Sequence, residues 1–544
     1  MIRQRAKRIP LLILLAFTFV NWLMLALSTK IGPPDFYKIY ELGKKLASGN
    51  LNIEIMPPLF PFLLYPLGKL LSIFIKHMNA FIISGKFISL AAGLGVVYFS
   101  YLFLEKIIGK LAAWGVLFFV ISPWFLIMLA FPITDMLYLF FVSVTFYAFF
   151  NKSSPWLPVI STIAGVLTRF EGVVLILSGF INYFKPKKQY FYMLLASIPL
   201  LAGLLLFFRA FIPRFFAHFT DIILPQKSYL SMFLHPLEFL SVISRNIFFF
   251  VPANSPYALK LFLMLMLLGF FCFGVYRLYK MDKRLTLAVM AYEILFLAAK
   301  GYIDTTRPDI ECRRIFSGLW IFYLISFIGG YFIFKLFKMG RRQKEILATE
   351  HTEHTERKNI RYNYLIVIVL CFFVLLIYPS AFRTSAAHLD AYGQKAGYAA
   401  AQWLNSTRLK EGAVILSYTN NTMVDYYLEL GGDNRNEGST TEKASAKFKS
   451  VYFTVPMRYL PEYRERYIES FFKGLKDNKV DYIIFDYYVV QKPEFLGLND
   501  VRQMLMDEKE NLHYFHVRQY LTHKGDNVGC VLKPVYDAHA ETNY

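Results

Sequence analysis

The chain has 544 residues, 56% of them hydrophobic and 18% aromatic, and a formal net charge of +21. Soluble domains average about 45–50% apolar residues and long uncharged apolar runs mark bilayer spans, so the composition excludes a soluble globular chain and implies a polytopic membrane protein. Residues 384–544 hold 19 basic and 21 acidic residues against 40 and 17 in residues 1–383, which places the excess in loops between apolar runs, a positive-inside pattern rather than a nucleic-acid surface.

Apolar runs of about 20 residues, shorter where polar residues interrupt them, define the predicted spans. The first is 9–29, preceded by MIRQRAKRIP; its run exceeds a signal-peptide h-region and no small-residue cleavage site follows, so it reads as a retained helix with a cytoplasmic basic end. The loop 30–79 carries Asp35 after Pro33-Pro34, an amphipathic segment, a Ser-Gly-Asn break and the proline-rich run from Pro57. Pro57, Pro58, Pro61 and Pro66 favour a juxtamembrane or re-entrant segment there over a full span. Further spans are expected at 80–104, 111–131 and 136–150, then as two short ones at 156–168 and 172–184 flanking Arg169-Phe170-Glu171. The remainder fall at 190–212, 256–276, 285–303, 315–334 and 362–382, with a cytoplasmic linker over 335–361. Eleven spans place the N-terminus in the cytoplasm and the C-terminus outside. Five predicted inner loops then carry the cations, among them Lys106/Lys110, Arg277/Lys280/Lys283/Arg284 and Lys335/Lys338.

Beyond 383 the character changes. Helical patterns at 390–405, around 460–477 and near 498–510 alternate with apolar strands at 413–418, 450–456, 480–489 and 527–535, which predicts an extracytoplasmic α/β domain over 384–544 with a largely parallel sheet. It has no Gly-rich phosphate loop. The four cysteines, Cys272, Cys312, Cys371 and Cys530, show no paired spacing, so neither a zinc motif nor a disulfide framework is expected.

With this topology four polar groups fall on the outer face: Asp35, Asp135, the Arg169–Glu171 turn, and the segment KGYIDTTRPDIECRR with Arg307, Arg313 and Arg314. Ionisable residues at membrane depth are functional candidates by default. Asp35 and Asp135 equally suit helix N-caps, Arg169 and Glu171 suit a structural ion pair, and the three arginines suit ordinary loop charges. The arginines nevertheless lie on the side where cations are normally depleted, and their planar forks match phosphate.

Several of these stretches resemble the GT-C superfamily of polyprenyl-phosphate-sugar-dependent glycosyltransferases, and most nearly glycosyltransferase family 39, with the protein O-mannosyltransferases and lipid A aminoarabinose transferases. PPDFYKIYELGKKLASGNLN followed by MPPLFPFLLYP matches the family's first outer loop, with Asp35, Tyr40 or Tyr37, Leu46, Gly49 and Pro57-Pro58-Leu59 in the motif positions. Ile133-Thr134-Asp135 matches its Thr-Asp at the fourth span, Leu167-Thr168-Arg169-Phe170-Glu171-Gly172 its Arg-aromatic-Glu-Gly turn, and AAQWLNSTRLKEGAVILSY the start of its outer domain. Phe36 stands where the family often has a second acid. The resemblance implies an eleven-span GT-C fold in the plasma membrane. It also implies a polyprenyl-phosphate-linked sugar donor and a lipid, glycan or protein acceptor. Asp35 would serve as general base, and Tyr40, Asp135, Arg169, Glu171, Arg307, Arg313 and Arg314 would line the substrate site. Some members use a divalent cation; without the paired acids this sequence commits to none. A lipid transporter or flippase is the rival reading, although no internal repeat supports it. A scaffold that has lost catalysis is the other, on the strength of Phe36.

Overall fold

The computed structural model describes residues 2–28, 34–49, 57–75, 77–151, 156–183, 257–300, 316–346, 377–385, 395–407, 412–418, 448–451, 461–486, 501, 503–505, 515–523 and 526–536. The predicted span 190–212, most of 362–382, Arg307, Arg313 and Arg314 lie outside the described residues. Two compact units emerge: Met1–Lys30, Ile39–Gly68 and Ile83–Asp390 form one, and Ile31–Lys38, Lys69–Ile82 and Ala391–Tyr544 the other.

The described residues of the first unit are helical. Its elements are α1 (Ile2–Ser28), α2 (Pro34–Ala47), α3 (Leu59–Leu71), α4 (His77–Ile108), α5 (Ala112–Val120), α6 (Pro123–Ala130), α7 (Thr134–Asn151), α8 (Trp156–Thr168), α9 (Val173–Tyr183), α10 (Tyr257–Met281), α11 (Lys283–Lys300) and α12 (Phe316–Ile346), α2 to α4 contributing only in part. Among the described residues five helices are long and apolar enough to cross a bilayer, six if α5 and α6 form one broken span. This is a multi-pass membrane protein.

Two elements differ from expectation, and a third, α3, agrees with it. The span 111–131 is broken: α5 and α6 meet at 68°. Pro123 cannot donate to the preceding turn, and Ser122 caps the new helix by accepting from Phe125 N at 3.3 Å. α12 runs on to Ile346, so the linker that was expected from 335 begins as helix. α3 has 13 residues, about 20 Å at 1.5 Å per residue, which is too short to span.

Side-chain contacts fix which helix ends share a face. α4 and α7 run parallel, because Gly95 meets Phe140, Phe99 meets Tyr147 and Phe103 meets Phe150. A single crossing by α5 and α6 must therefore join them. α8 returns antiparallel to α7: Thr145 bonds Ser161 at 2.7 Å, and Gly165 lies against Tyr138. α11 is antiparallel to α7 as well, Tyr138 facing Phe296 and Phe146 facing Tyr292. α10 and α12 are parallel, from Phe271 on Phe322 to Arg277 on Phe332. One face thus gathers the start of α7, the end of α8 and the start of α12. The other gathers Lys106, Asn151 and the α10–α11 corner.

The second unit contains a five-stranded sheet of order β2-β1-β3-β5-β4, built from β1 (Ala413–Tyr418), β2 (Phe448–Val451), β3 (Tyr482–Asp486), β4 (Phe515–His523) and β5 (Asp526–Pro534). β1 pairs in parallel with β2 and β3, whereas β5 is antiparallel to β3 and β4. The sheet is therefore mixed rather than largely parallel, because β4 and β5 form a hairpin that sequence reading did not foresee in full. α13 (Lys395–Ser406) and α14 (Arg464–Asp477) belong to the same unit. α14 buries Tyr467, Phe471, Phe472 and Leu475 in a core shared with Ile483, Phe515 and Leu532.

Candidate active site

Asp135 and Arg169, 34 positions apart in sequence, come together with Glu171. Asp135 opens α7, and Arg169 follows the last residue of α8, so the antiparallel pairing of those helices sets them at one level. The turn between α8 and α9 is a single 3-10 turn over Phe170–Gly172. It is possible because Gly172 packs on the α8 backbone: a Cβ there would stand 2.4 Å from Val166 N and 2.5 Å from the Gly165 carbonyl carbon. Arg169 stays extended at φ −149°, which turns its side chain out of the helix ladder.

Its guanidinium donates through Nη1 to Asp135 Oδ1, and through Nε and Nη2 to both oxygens of Glu171 at 3.2 and 3.3 Å. Asp135 is 3% exposed and Glu171 8%. Burial disfavours a charged guanidinium, but the two carboxylates outweigh it and raise the pKa of Arg169 above its ordinary value. One cation between two anions leaves a formal charge of −1, held in a fixed geometry. This arrangement can orient a polar ligand or attract a cationic one. It offers little free positive charge to a phosphate.

The neighbourhood holds buried polar groups that sequence reading missed. Tyr138, one turn along α7 from Asp135, hydrogen-bonds the hydroxyl of Tyr292 at 3.1 Å, and Tyr292 donates to Ser317 Oγ at 3.0 Å. Glu293, next to Tyr292, is 7% exposed; its Oε2 has no hydrogen-bond partner among the described residues, and its other oxygen lies where a Cβ on Gly318 would be at 2.8 Å. Lys86 lies inside α4 at 3% exposure and donates to Ala26 O at 2.8 Å, in the last turn of α1, where unpaired carbonyls favour a cation. Trp22 Nε1 in turn donates to Lys86 O at 3.1 Å. Gly85 packs against Pro132, and Ser89 donates to Phe131 O at 2.5 Å, so this end of α4 borders the loop leading to Asp135. The signal for Lys86 and Glu293 was present: each is an isolated charge in an otherwise apolar run.

Asp35 lies in the first turn of α2, half-buried, with Pro34 as the first helical residue. It is not the residue preceding the helix, so its local effect is to complement the helix dipole from within the first turn. Phe36 and Tyr37 are fully buried and meet edge to face at 5.5 Å. A second carboxylate at position 36 would therefore be a buried charge. Tyr40 is buried with its ring 6.2 Å from Tyr65, and Gly43 lets α2 approach α3 at Pro61. Gly49, at φ +78°, closes α2 in the left-handed region that the Ser-Gly-Asn break foretold.

Among the described residues no three His, Cys, Asp or Glu side chains group as metal ligands, and the two carboxylates that do meet are already bridged by Arg169.

No family model matches the chain, and no curated protein sequence matches it. Solved structures do. Over 97% of this chain and 98% of the other, the fold is similar to that of ArnT from Cupriavidus metallidurans bound to undecaprenyl phosphate, with a TM-score of 0.53 at 12% identity. Over 88% of this chain and 70% of the other, it is similar to the apo oligosaccharyltransferase of Archaeoglobus fulgidus, with a TM-score of 0.51 at 14% identity. Both are membrane glycosyltransferases of the GT-C superfamily.

Proposed function

For a chain with the GT-C fold of membrane glycosyltransferases, we propose transfer of a sugar from a polyprenyl-phosphate-linked donor to an acceptor on the extracytoplasmic face. The observation that carries this reading is the buried Asp135–Arg169–Glu171 cluster at the helix ends of one face, bordered by the end of α4 that holds Lys86. Buried ionic groups at membrane depth are costly to keep unless they serve a ligand. The opposite face carries Lys106, Arg277, Lys280, Lys283 and Arg284, which supports placing it in the cytoplasm and the cluster outside. On the eleven-span count we place residues 384–544 outside as well.

In the proposed reaction an acceptor hydroxyl or amine attacks the anomeric carbon, a bond to the acceptor forms, and the bond to the phosphate oxygen breaks. Asp35 takes the acceptor proton as general base. The leaving group is already a phosphate and needs charge neutralisation more than a proton. Because Arg169 is committed to two carboxylates, that role passes to Arg307, Arg313 and Arg314, and the Asp135–Arg169–Glu171 cluster orients the polar part of the substrate. The acceptor class is a lipid, glycan or protein.

Ligand-dependent stability tests the donor site apart from catalysis. A ligand at 100 times its Kd stabilises the folded state by about 2.7 kcal/mol. Undecaprenyl phosphate should raise the Tm of the purified protein, and the corresponding polyprenol, lacking the phosphate, should not. Equal shifts from both compounds would refute phosphate recognition.

A further inference from the structure

The α10–α11 corner carries four cations within eight residues, Arg277, Lys280, Lys283 and Arg284. Three of them are held by rings: Arg277 lies 4.7 Å from the Phe332 ring centre and 5.6 Å from that of Phe273, Lys280 is 5.7 Å from Tyr276, and Lys283 is 5.4 Å from Tyr279. Tyr276 and Tyr279 are themselves 49% and 40% exposed, as aromatic residues at a bilayer boundary are. Among the described residues none of the four side chains has a carboxylate partner. Asp282, the acid inside the corner, instead accepts from the backbone N–H groups of Arg284 and Leu285 at 3.1 Å and caps α11. Toward the opposite end of α10, Leu259, Phe262, Leu265 and Met266 are exposed and apolar, a surface suited to acyl chains. Lys335 follows Phe332 on α12, which runs parallel to α10, and adds a further, exposed cation at about the same level.

We infer that this corner binds the phosphate headgroups of anionic phospholipids in the leaflet opposite the candidate active site. Anionic lipid fits better than a free anion, because the cations stand on tyrosines at the edge of an exposed apolar helix, so headgroup and acyl chain meet complementary surfaces together. Rings beneath the lysines restrict their rotamers and lower the entropy lost when a phosphate binds.

The test is native mass spectrometry of the full-length protein with phosphatidylglycerol or phosphatidylcholine, for wild type and for Lys280→Gln/Lys283→Gln/Arg284→Gln. Each cation near an anionic surface changes partitioning about fivefold. Wild type should therefore retain phosphatidylglycerol over phosphatidylcholine at least about tenfold, and the triple variant, which keeps Arg277 and Lys335, should lose most of that preference. The single variant Lys283→Gln, at an exposed position, should fall between them, and Lys280→Arg/Lys283→Arg should keep the wild-type preference. Equal retention of both lipids by wild type would overturn the inference. So would an unchanged preference in both glutamine variants, or displacement of the lipid by millimolar inorganic phosphate, which would mark a free-anion site.

Discussion

Replacing Arg169 with methionine keeps much of its volume and removes the charge that joins Asp135 to Glu171. Those carboxylates are 3% and 8% exposed and would then face each other across a buried site. Removing one member of a buried pair costs about 3–5 kcal/mol, because the other charge is left without compensation. Here a single arginine serves two carboxylates, so the upper part of that range applies. If the loss arises from stranded charge, then removing the charges as well should restore stability. Arg169→Met combined with Asp135→Asn and Glu171→Gln should regain about 2 kcal/mol of the loss, within the usual range of coupling between residues in contact. Denaturation of the purified variants in detergent, followed by tryptophan fluorescence, measures each corner of the cycle. Additive effects to within about 0.5 kcal/mol would refute the view that the cluster is one electrostatic unit.

Gly172→Ala should destabilise the protein by about 3 kcal/mol or more, since its Cβ meets backbone that cannot move aside, and thermal unfolding should show this even with Arg169 intact. Tyr536 in the second unit donates to Val480 O, and burial, followed by the nearby charge of Asp481, pushes its pKa up to about 12. The folded value lies above the ordinary value of about 10, so the stability it confers is complete below pH ~10 and is lost as pH rises through about 12. Tyrosinate absorbance should accordingly show that Tyr536→Phe removes one tyrosine from those that ionise late.

Much of the fold was legible because apolar runs of span length admit few alternatives. α4, α7, α10, α11 and α12 begin within a few residues of the expected positions, whereas α1 begins and α12 ends in charged flanks beyond them. The break at Ser122-Pro123 was overlooked because the surrounding run is uniformly apolar, and composition alone does not reveal a bend. β4 escaped for a different reason. It is an edge strand, and its register shifts between Val517 and Gln519, so Leu521, although in sequence alternation with Phe515 and Val517, pairs with Gly529 rather than on the face of Leu532. In the candidate site the motif around Arg169 was readable, but its pairing with Asp135 depends on how α7 and α8 pack. Lys86 and Glu293 were passed over as single charges within spans; burial is what gives them weight. Phe36, which stands where a second acid was expected, is fully buried.

The most direct test of the account is transfer itself. Full-length protein, reconstituted with polyprenyl-phosphate-linked radiolabelled sugars and an envelope extract supplying lipid, glycan and protein acceptors, should move label from the donor and release polyprenyl phosphate. Asp35→Asn should fold and bind donor like wild type yet transfer at least about a hundredfold more slowly, the scale of lost general-base catalysis. Near-normal transfer by Asp35→Asn would contradict the assignment of the base, and the absence of transfer by wild type from any such donor would contradict the proposed function.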